Sequence, residues 1–166
     1  TNNADGDAVG IRASSSGKYA EGSTVVSNSG DIMVSSSYQA AGIWATSTND
    51  ASIYNSGNIT VASEEGRARG LYAIADDGVG TIINSGDLSV VGGIGVVGAG
   101  AAGSYGATTI NTGDISVTST RYEVLTDYYG VDYYAGGWAY GVFASTRFLG
   151  VAEVINSGDI DVNGIT

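Results

Sequence analysis

Asn28-Ser29-Gly30-Asp31-Ile32-Met33-Val34 is the stretch from which the fold can be read, because the chain says it again and again. The same phrase returns as Asn55-Ser-Gly-Asn-Ile59, Asn84-Ser-Gly-Asp-Leu88, Asn111-Thr-Gly-Asp-Ile115 and Asn156-Ser-Gly-Asp-Ile160, and each copy runs on to a valine: Val34, Val61, Val90, Val117 and Val162. The copies recur about every 28 residues, a period that marks solenoids and repeat arrays. The last interval is longer and contains an insertion.

Working outward from that phrase, a second one precedes it in each unit. It has the form Ala-x-Gly-apolar-x-Ala and occupies Ala8 to Ala13, Ala40 to Ala45, Ala68 to Ala73 and Ala139 to Ala144. In the fourth unit the run Gly92 to Gly100 fills the slot, with either Gly95 or Gly98 at the glycine position. A third apolar patch stands just before each asparagine, at Val25-Val26, Ile53, Ile82-Ile83, Ile110 and Val154-Ile155. Three short β-rich segments per unit, punctuated by Gly, Asn and Ser, predict one short strand per segment. Helices fit badly, since each interior glycine costs about 1 kcal/mol relative to alanine. The fold expected is therefore all-β: a parallel β-helix, or β-solenoid, of about five coils with three strands each, forming one domain over 1–166. The coils fall near 8–34, 40–61, 68–90, 95–117 and 139–162, with the insertion at 118–138.

Within Asp-Ile-x-Val the apolar residues alternate, so Ile32 and Val34 share one face and Met33 the other. Coils stacked at about 4.8 Å would align Ile on Ile and Val on Val, closing a core that no single coil can close. Asn-Ser-Gly suits a tight corner between the second and third strands, because Asn and Gly tolerate positive φ and the Asn amide can bond nearby backbone. Stacked corners predict an asparagine ladder through Asn28, Asn55, Asn84, Asn111 and Asn156.

Composition narrows the function classes. With 43% hydrophobic residues the chain is too apolar for a disordered Gly/Ser tract, although it holds 27 glycines and no proline. Seventeen acidic residues against six basic ones give a net charge of -11, so no basic patch collects phosphates and nucleic acid is not an expected partner. The absence of Cys and His removes disulfides, thiolate metal sites and the commonest general base. No stretch reaches the roughly 18 apolar residues of a membrane-spanning helix.

Asn-Ser-Gly-Asp-Ile-x-Val alternating with Ala-x-Gly-Ile-x-Ala resembles the β-helical passenger repeats of bacterial autotransporters and related secreted adhesins, over nearly the whole chain. The resemblance implies a right-handed helix, secretion from a Gram-negative cell and display at or beyond the bacterial outer surface. Enzymes, adhesins and passive stalks all use such repeats, so function has to be argued from sites.

Several sites invite chemistry. Gly93-Ile-Gly95-Val-Val-Gly98 matches a dinucleotide-binding pattern, but the glycine-rich run after it will not hold the helix that the pattern requires. Asp50, Asp76 and Asp77 suggest a polysaccharide-active enzyme, yet Arg67 and Arg69 are the only bases near them in sequence and no acid/base pair is assembled. A stack of Asp31, Asp87, Asp114 and Asp159, with Asn58 in the same column, would be held either by turn N–H groups or by calcium; the spacing is not that of the nonapeptide calcium repeat, and turn capping is the expectation, with no other cofactor.

Two surfaces remain. Arg12, Trp44, Tyr72 and Phe143 follow the inward apolar residue of the alanine phrase and should form an outward stripe, either as a cross-strand ladder or as a contact surface. The insertion concentrates Tyr122, Tyr128, Tyr129, Tyr133, Tyr134 and Trp138, amphipathic contact area of the kind used to hold a glycan or a neighbouring subunit. Repeat phrases run from Ala8 to Val162 and leave no room for polar caps, so both ends are expected to be open β edges. These readings predict a non-enzymatic extracellular structural protein, the building block of a surface fibre or adhesin stalk, a homopolymer by end-to-end stacking or a neighbour of further repeats. A glycan- or host-binding adhesin segment is the alternative, and a polysaccharide-active enzyme comes third.

Overall fold

A computed structural model describes residues 6–16, 22–121, 123–126, 132–135 and 137–164. Among the described residues all regular structure is β. The first coil comprises β1 (Asp7–Ser15), β2 (Thr24–Asn28) and β3 (Ile32–Ser36); the second β4 (Gln39–Ser47), β5 (Ala51–Asn55) and β6 (Ile59–Ser63). The third holds β7 (Arg67–Ala75), β8 (Val79–Asn84) and β9 (Leu88–Gly92), and the fourth β10 (Gly95–Gly103), β11 (Gly106–Asn111) and β12 (Ile115–Ser119). After β13 (Glu123–Thr126) and β14 (Asp132–Ala135) the last coil follows as β15 (Trp138–Thr146), β16 (Ala152–Asn156) and β17 (Ile160–Asn163).

First strands pair with first strands, in the order β1-β4-β7-β10-β15, and second and third strands do likewise, giving three parallel five-stranded sheets. We call them A, B and C. The register matches the repeat phrase by phrase: Ile32 on Ile59 on Leu88 on Ile115 on Ile160 in sheet C, and Val26 on Ile53 on Ile82 in sheet B. The chain is thus a β-solenoid, whose core is one column of Ile, Leu, Val and Ala enclosed by three sheets.

Strict alternation fails in sheet A. Ala40, Ile43 and Ala45 are all buried, spaced by three and then two, so the inward parity changes at the intervening glycine. The reason is close approach: a Cβ on Gly42 would meet Ile59 Cγ2 of sheet C at 2.5 Å and Gly70 O of the next coil at 2.6 Å. Gly98 stands in the same surroundings, against Ile115 and Val117, which identifies it and not Gly95 as the fourth-unit glycine. Sheet B brings a second departure from the sequence reading. In the fourth coil Thr109 aligns with the inward Ile82 while Ile110 aligns with the outward Ile83. Burying that hydroxyl is tolerated because Thr109 Oγ1 donates to Phe143 O at 2.8 Å.

The insertion leaves and rejoins at one corner. Arg121 N donates to Gly93 O at 2.7 Å and Trp138 N to Ile94 O at 3.1 Å, so the coils on either side of it keep register. Within it, β13 and β14 pair antiparallel, Val124 opposite Tyr134 and Leu125 opposite Tyr133. The insertion therefore contains a hairpin.

Candidate functional site

The Asn-Ser-Gly corner lies between sheets B and C. Asn55, Asn84 and Asn111 are buried. Each uses both amide hydrogens: Asn84 Nδ2 donates to Gly86 O at 2.6 Å within its own turn and to Asn111 Oδ1 of the next coil at 2.7 Å, while Asn84 Oδ1 accepts from Asn55 Nδ2 at 2.7 Å. The ladder starts at Asn28, which donates to Asn55 Oδ1 at 2.8 Å, and ends at Asn156, which accepts from Asn111 at 2.8 Å. It joins residues 27, 29, 27 and 45 apart in sequence. Every bond runs the same way, from one coil's nitrogen to the oxygen of the coil after it.

The corner glycines serve a purpose other than the one expected. None of Gly30, Gly57, Gly86, Gly113 and Gly158 has the positive φ that would demand it. Instead a Cβ on Gly57, Gly86, Gly113 or Gly158 would drive into the backbone carbonyl of the corresponding glycine one coil earlier. Stacking distance, not turn type, excludes a side chain here.

Beside the asparagines runs the Asp31-Asn58-Asp87-Asp114-Asp159 column. Asp31 Oδ1 accepts the N–H of Asn58 at 2.9 Å, Asn58 Oδ1 that of Asp87 at 3.0 Å, Asp87 Oδ1 that of Asp114 at 2.9 Å and Asp114 Oδ1 that of Asp159 at 3.0 Å. Each of these four side chains caps the amide one coil on. Asn58 does this as well as any aspartate, which is why it can stand in the column. Among the described residues no group of three or more acidic side chains is arranged to hold a metal ion. An open groove of about 390 Å³ opens on the sheet B side of the same corner, lined by Ser27, Tyr54, Asn55, Ile83 and Ser85 among others.

On the outer face of sheet A, Arg12, Trp44, Tyr72, Gly100 and Phe143 form one row. The rings cover one another and are only half-exposed: Trp44 meets Tyr72 edge-on at 6.1 Å, and Phe143 reaches across Gly100 to Tyr72 at 6.1 Å. A side chain on Gly100 would collide with the Phe143 ring, and one on Gly95 with Trp138, so the glycines of the fourth coil make room for aromatics of the fifth. Guanidinium groups lie against the first two rings of the row: Arg12 lies 5.4 Å and Arg69 5.2 Å from the Trp44 ring centre, and Arg69 also stands 5.1 Å from that of Tyr72. Burial pulls the Arg69 pKa below its ordinary value, Tyr72 opposes that shift, and the group stays cationic at neutral pH. Among the described residues Trp44 Nε1, which is buried, has no hydrogen-bond partner.

Tyr122, Tyr128 and Tyr129 lie outside the described residues; Tyr133 and Tyr134 are described only as backbone of β14. Trp138, at the start of β15, is exposed and packs 5.3 Å from the exposed Tyr140, itself 6.1 Å from Phe143. The structure therefore joins Trp138 to the sheet A row through Tyr140, a link that sequence reading did not make. It also missed an outward apolar row on sheet B, Tyr54, Ile83, Ile110 and Ile155, and an apolar corner at Tyr105, Phe148, Leu149 and Val151, where Leu149 is 88% exposed. Doublets such as Ile82-Ile83 hide which member faces out, and the corner has no apolar counterpart at 48–50 or 76–78 in the second and third coils.

The acidic residues considered for catalysis share one corner of two adjacent coils, where Asp76 N donates to Ser47 O at 2.9 Å and Asp77 N to Thr48 O at 2.6 Å. Asp50 Oδ1 accepts the Val79 N–H at 2.8 Å, capping the next coil like the column above. Asp76 follows β7 directly, whereas Arg67 opens it, so the two stand at opposite ends of a nine-residue strand. The glycine-rich stretch Gly95 to Gly103 is strand β10, which excludes the phosphate-cradling helix. Comparison with protein-family models, with curated proteins and with solved structures found no match to this chain.

Proposed function

We propose that this chain is a non-enzymatic extracellular structural protein, a building block of a bacterial surface fibre or adhesin stalk of the autotransporter-passenger kind, lengthened by end-to-end stacking. The observation that carries this reading is the use made of its polar side chains. Asn84, Asn111, Asp87 and Asp114, the residues best equipped for chemistry at the corner, are each engaged in bonds from one coil to the next. Such an arrangement supports stiffness and length.

Electron microscopy of the purified chain at several concentrations, with and without calcium, tests it. Unbranched filaments with an axial repeat of about 24 Å, five coils at strand spacing, are expected. Dispersed particles at every concentration would remove the stacking part of the proposal.

One observation favours glycan or host binding as a second reading: Trp138 and Tyr140 present exposed rings, tilted 45° to one another, beside Phe143, and exposed aromatic rings offer faces on which sugars can stack. Trp138→Ala together with Tyr140→Ala would then abolish retention on a glycan panel without lowering the melting temperature appreciably.

A further inference from the structure

Basic side chains are unevenly spread over the solenoid. The strands of sheets B and C hold no lysine or arginine, and their acids are Glu153 and Asp161. Sheet A holds Arg12, Arg67 and Arg69, half of the chain's six basic residues, against the single acid Asp7. On a chain of net charge -11, this is the sheet on which an anion finds opposite charge.

The same face carries the rings, and the two sets of side chains form one surface. A Cβ on Gly95 would meet Trp138 Cζ2 at 2.7 Å and Arg67 Cγ at 3.2 Å, so the indole and the stem of Arg67 come together over the fourth coil. A path of neighbouring groups thus runs from Arg69 through Tyr72, Phe143 and Tyr140 to Trp138 and Arg67. Arg67, Trp138 and Tyr140 are exposed and Arg69 is half-buried. Among the described residues the one ion pair joins Arg121 to Glu65 at 3.7 Å, and neither Arg67 nor Arg69 has a carboxylate partner. Arg69 rests on rings and not on an acid, which leaves its charge open to a ligand.

The chemistry of the surface selects among anions. Guanidinium forks match carboxylates two bonds at a time, and the rings add apolar faces that a bare anion would not use. A nucleic-acid strand fits poorly: neighbouring rings meet at 45°, 63° and 66°, so no parallel pair forms a slot for a planar base, and a phosphate on every residue would face an acidic protein with few cations. A run of acidic side chains would occupy the arginines and leave the rings bare. Sugars that bear carboxylates use both.

We propose that the outer face of sheet A binds an acidic polysaccharide, with Arg67 and Arg69 pairing with uronate carboxylates and the exposed rings of Trp138 and Tyr140 carrying the faces of the sugars. The inference rests on the glycan reading and adds to it the charge class of the ligand and the residues that read the charge. It does not depend on stacking of copies, because the face lies along the side of the solenoid. Salt weakens the arginine contacts and leaves the ring contacts in place.

Binding of the full chain to immobilised polygalacturonate, alginate and hyaluronate, compared with methyl-esterified polygalacturonate, dextran and polyglutamate, tests the proposal. At least one uronate polymer should bind at least ten times more tightly than each of the three comparison polymers, and less tightly as salt is raised. On that polymer Arg67→Gln should lose at least tenfold in affinity at an unchanged melting temperature. Arg69 packs between rings, so it is tested by Arg69→Lys, which keeps the charge, gives up the fork and should bind severalfold more weakly. An Arg67→Gln chain that binds as tightly as wild type, or polyglutamate that binds as tightly as the uronates, would overturn the proposal. Retention on uncharged glycans only, or equal retention of the methyl ester, would overturn it and leave the glycan reading standing. No retention on any of these sugar polymers or on a neutral glycan panel would overturn both.

Discussion

Val117 and Val162 occupy the same position one coil apart, yet Val117 is 0% exposed and Val162 41%; Ile115 and Ile160 differ in the same way, 2% against 38%. Nothing in the local sequence separates them, since both pairs sit in the same phrase on paired strands. The contrast lies in what stacks above. An inner residue is enclosed by its own coil and by both neighbours, while one in the last coil has a neighbour on a single side. Stability in such an array is a sum over interfaces between adjacent coils, and one substitution should have different costs at different levels of the stack.

Glycine at the corner offers the sharpest way to test this. Gly86→Ala places a methyl group inside the backbone of Gly57, where neither atom can move without shifting a coil. The expected loss is about 4 kcal/mol or more, read by urea denaturation. Gly30→Ala, the same change at the first corner, should be silent in that experiment. Equal costs at the two positions would mean that turn conformation, not stacking, sets the requirement.

Asparagine comes next. Asn84→Ala would leave a buried Asn55 N–H, the Asn111 Oδ1 and the Gly86 carbonyl without partners. At about 1–3 kcal/mol for each buried group left unsatisfied, a total of about 3 kcal/mol is expected after relaxation. Asn156→Ala removes the exposed end of the ladder, where water replaces the lost bonds, and should cost about 1 kcal/mol. Core truncation repeats the comparison with a purely apolar residue: Ile115→Ala should cost about 3 kcal/mol and Ile160→Ala less than half of that, because its side chain is already partly in water.

These contrasts also show what could be read from sequence. The Asn-Ser-Gly phrase disclosed the coil, its period and its ladder because one residue type recurs in one column, and a column is what stacking makes. Gly98 could not be separated from Gly95, nor Thr109 from Ile110, because those choices depend on parity within a single strand and the neighbouring residues satisfy both parities. The aromatic row was legible as outward but not as self-covering: that depends on Gly95 and Gly100, whose lack of side chains has meaning only once Trp138 and Phe143 are known to lie over them. The hairpin of the insertion had no copy elsewhere in the chain to confirm it.

The smallest expected effect tests the acidic column, where capping and calcium bridging make opposite predictions. Asp114 Oδ1 accepts the Asp159 N–H, and an asparagine oxygen would accept it equally, as Asn58 does for Asp87. Asp114→Asn should therefore change stability by less than about 0.5 kcal/mol. Its sign should be favourable, because one of three consecutive carboxylates, Asp87, Asp114 and Asp159, loses its charge. Melting curves with calcium and with a chelator complete the test. Capping predicts superimposable curves for wild type and variant alike; bridging predicts a wild type stabilised by calcium and a variant that loses much of that gain. The column would then be a cation site that assembles only when the ion is present, and the carboxylates that close the corner would do so through the metal instead of through the next coil's amide.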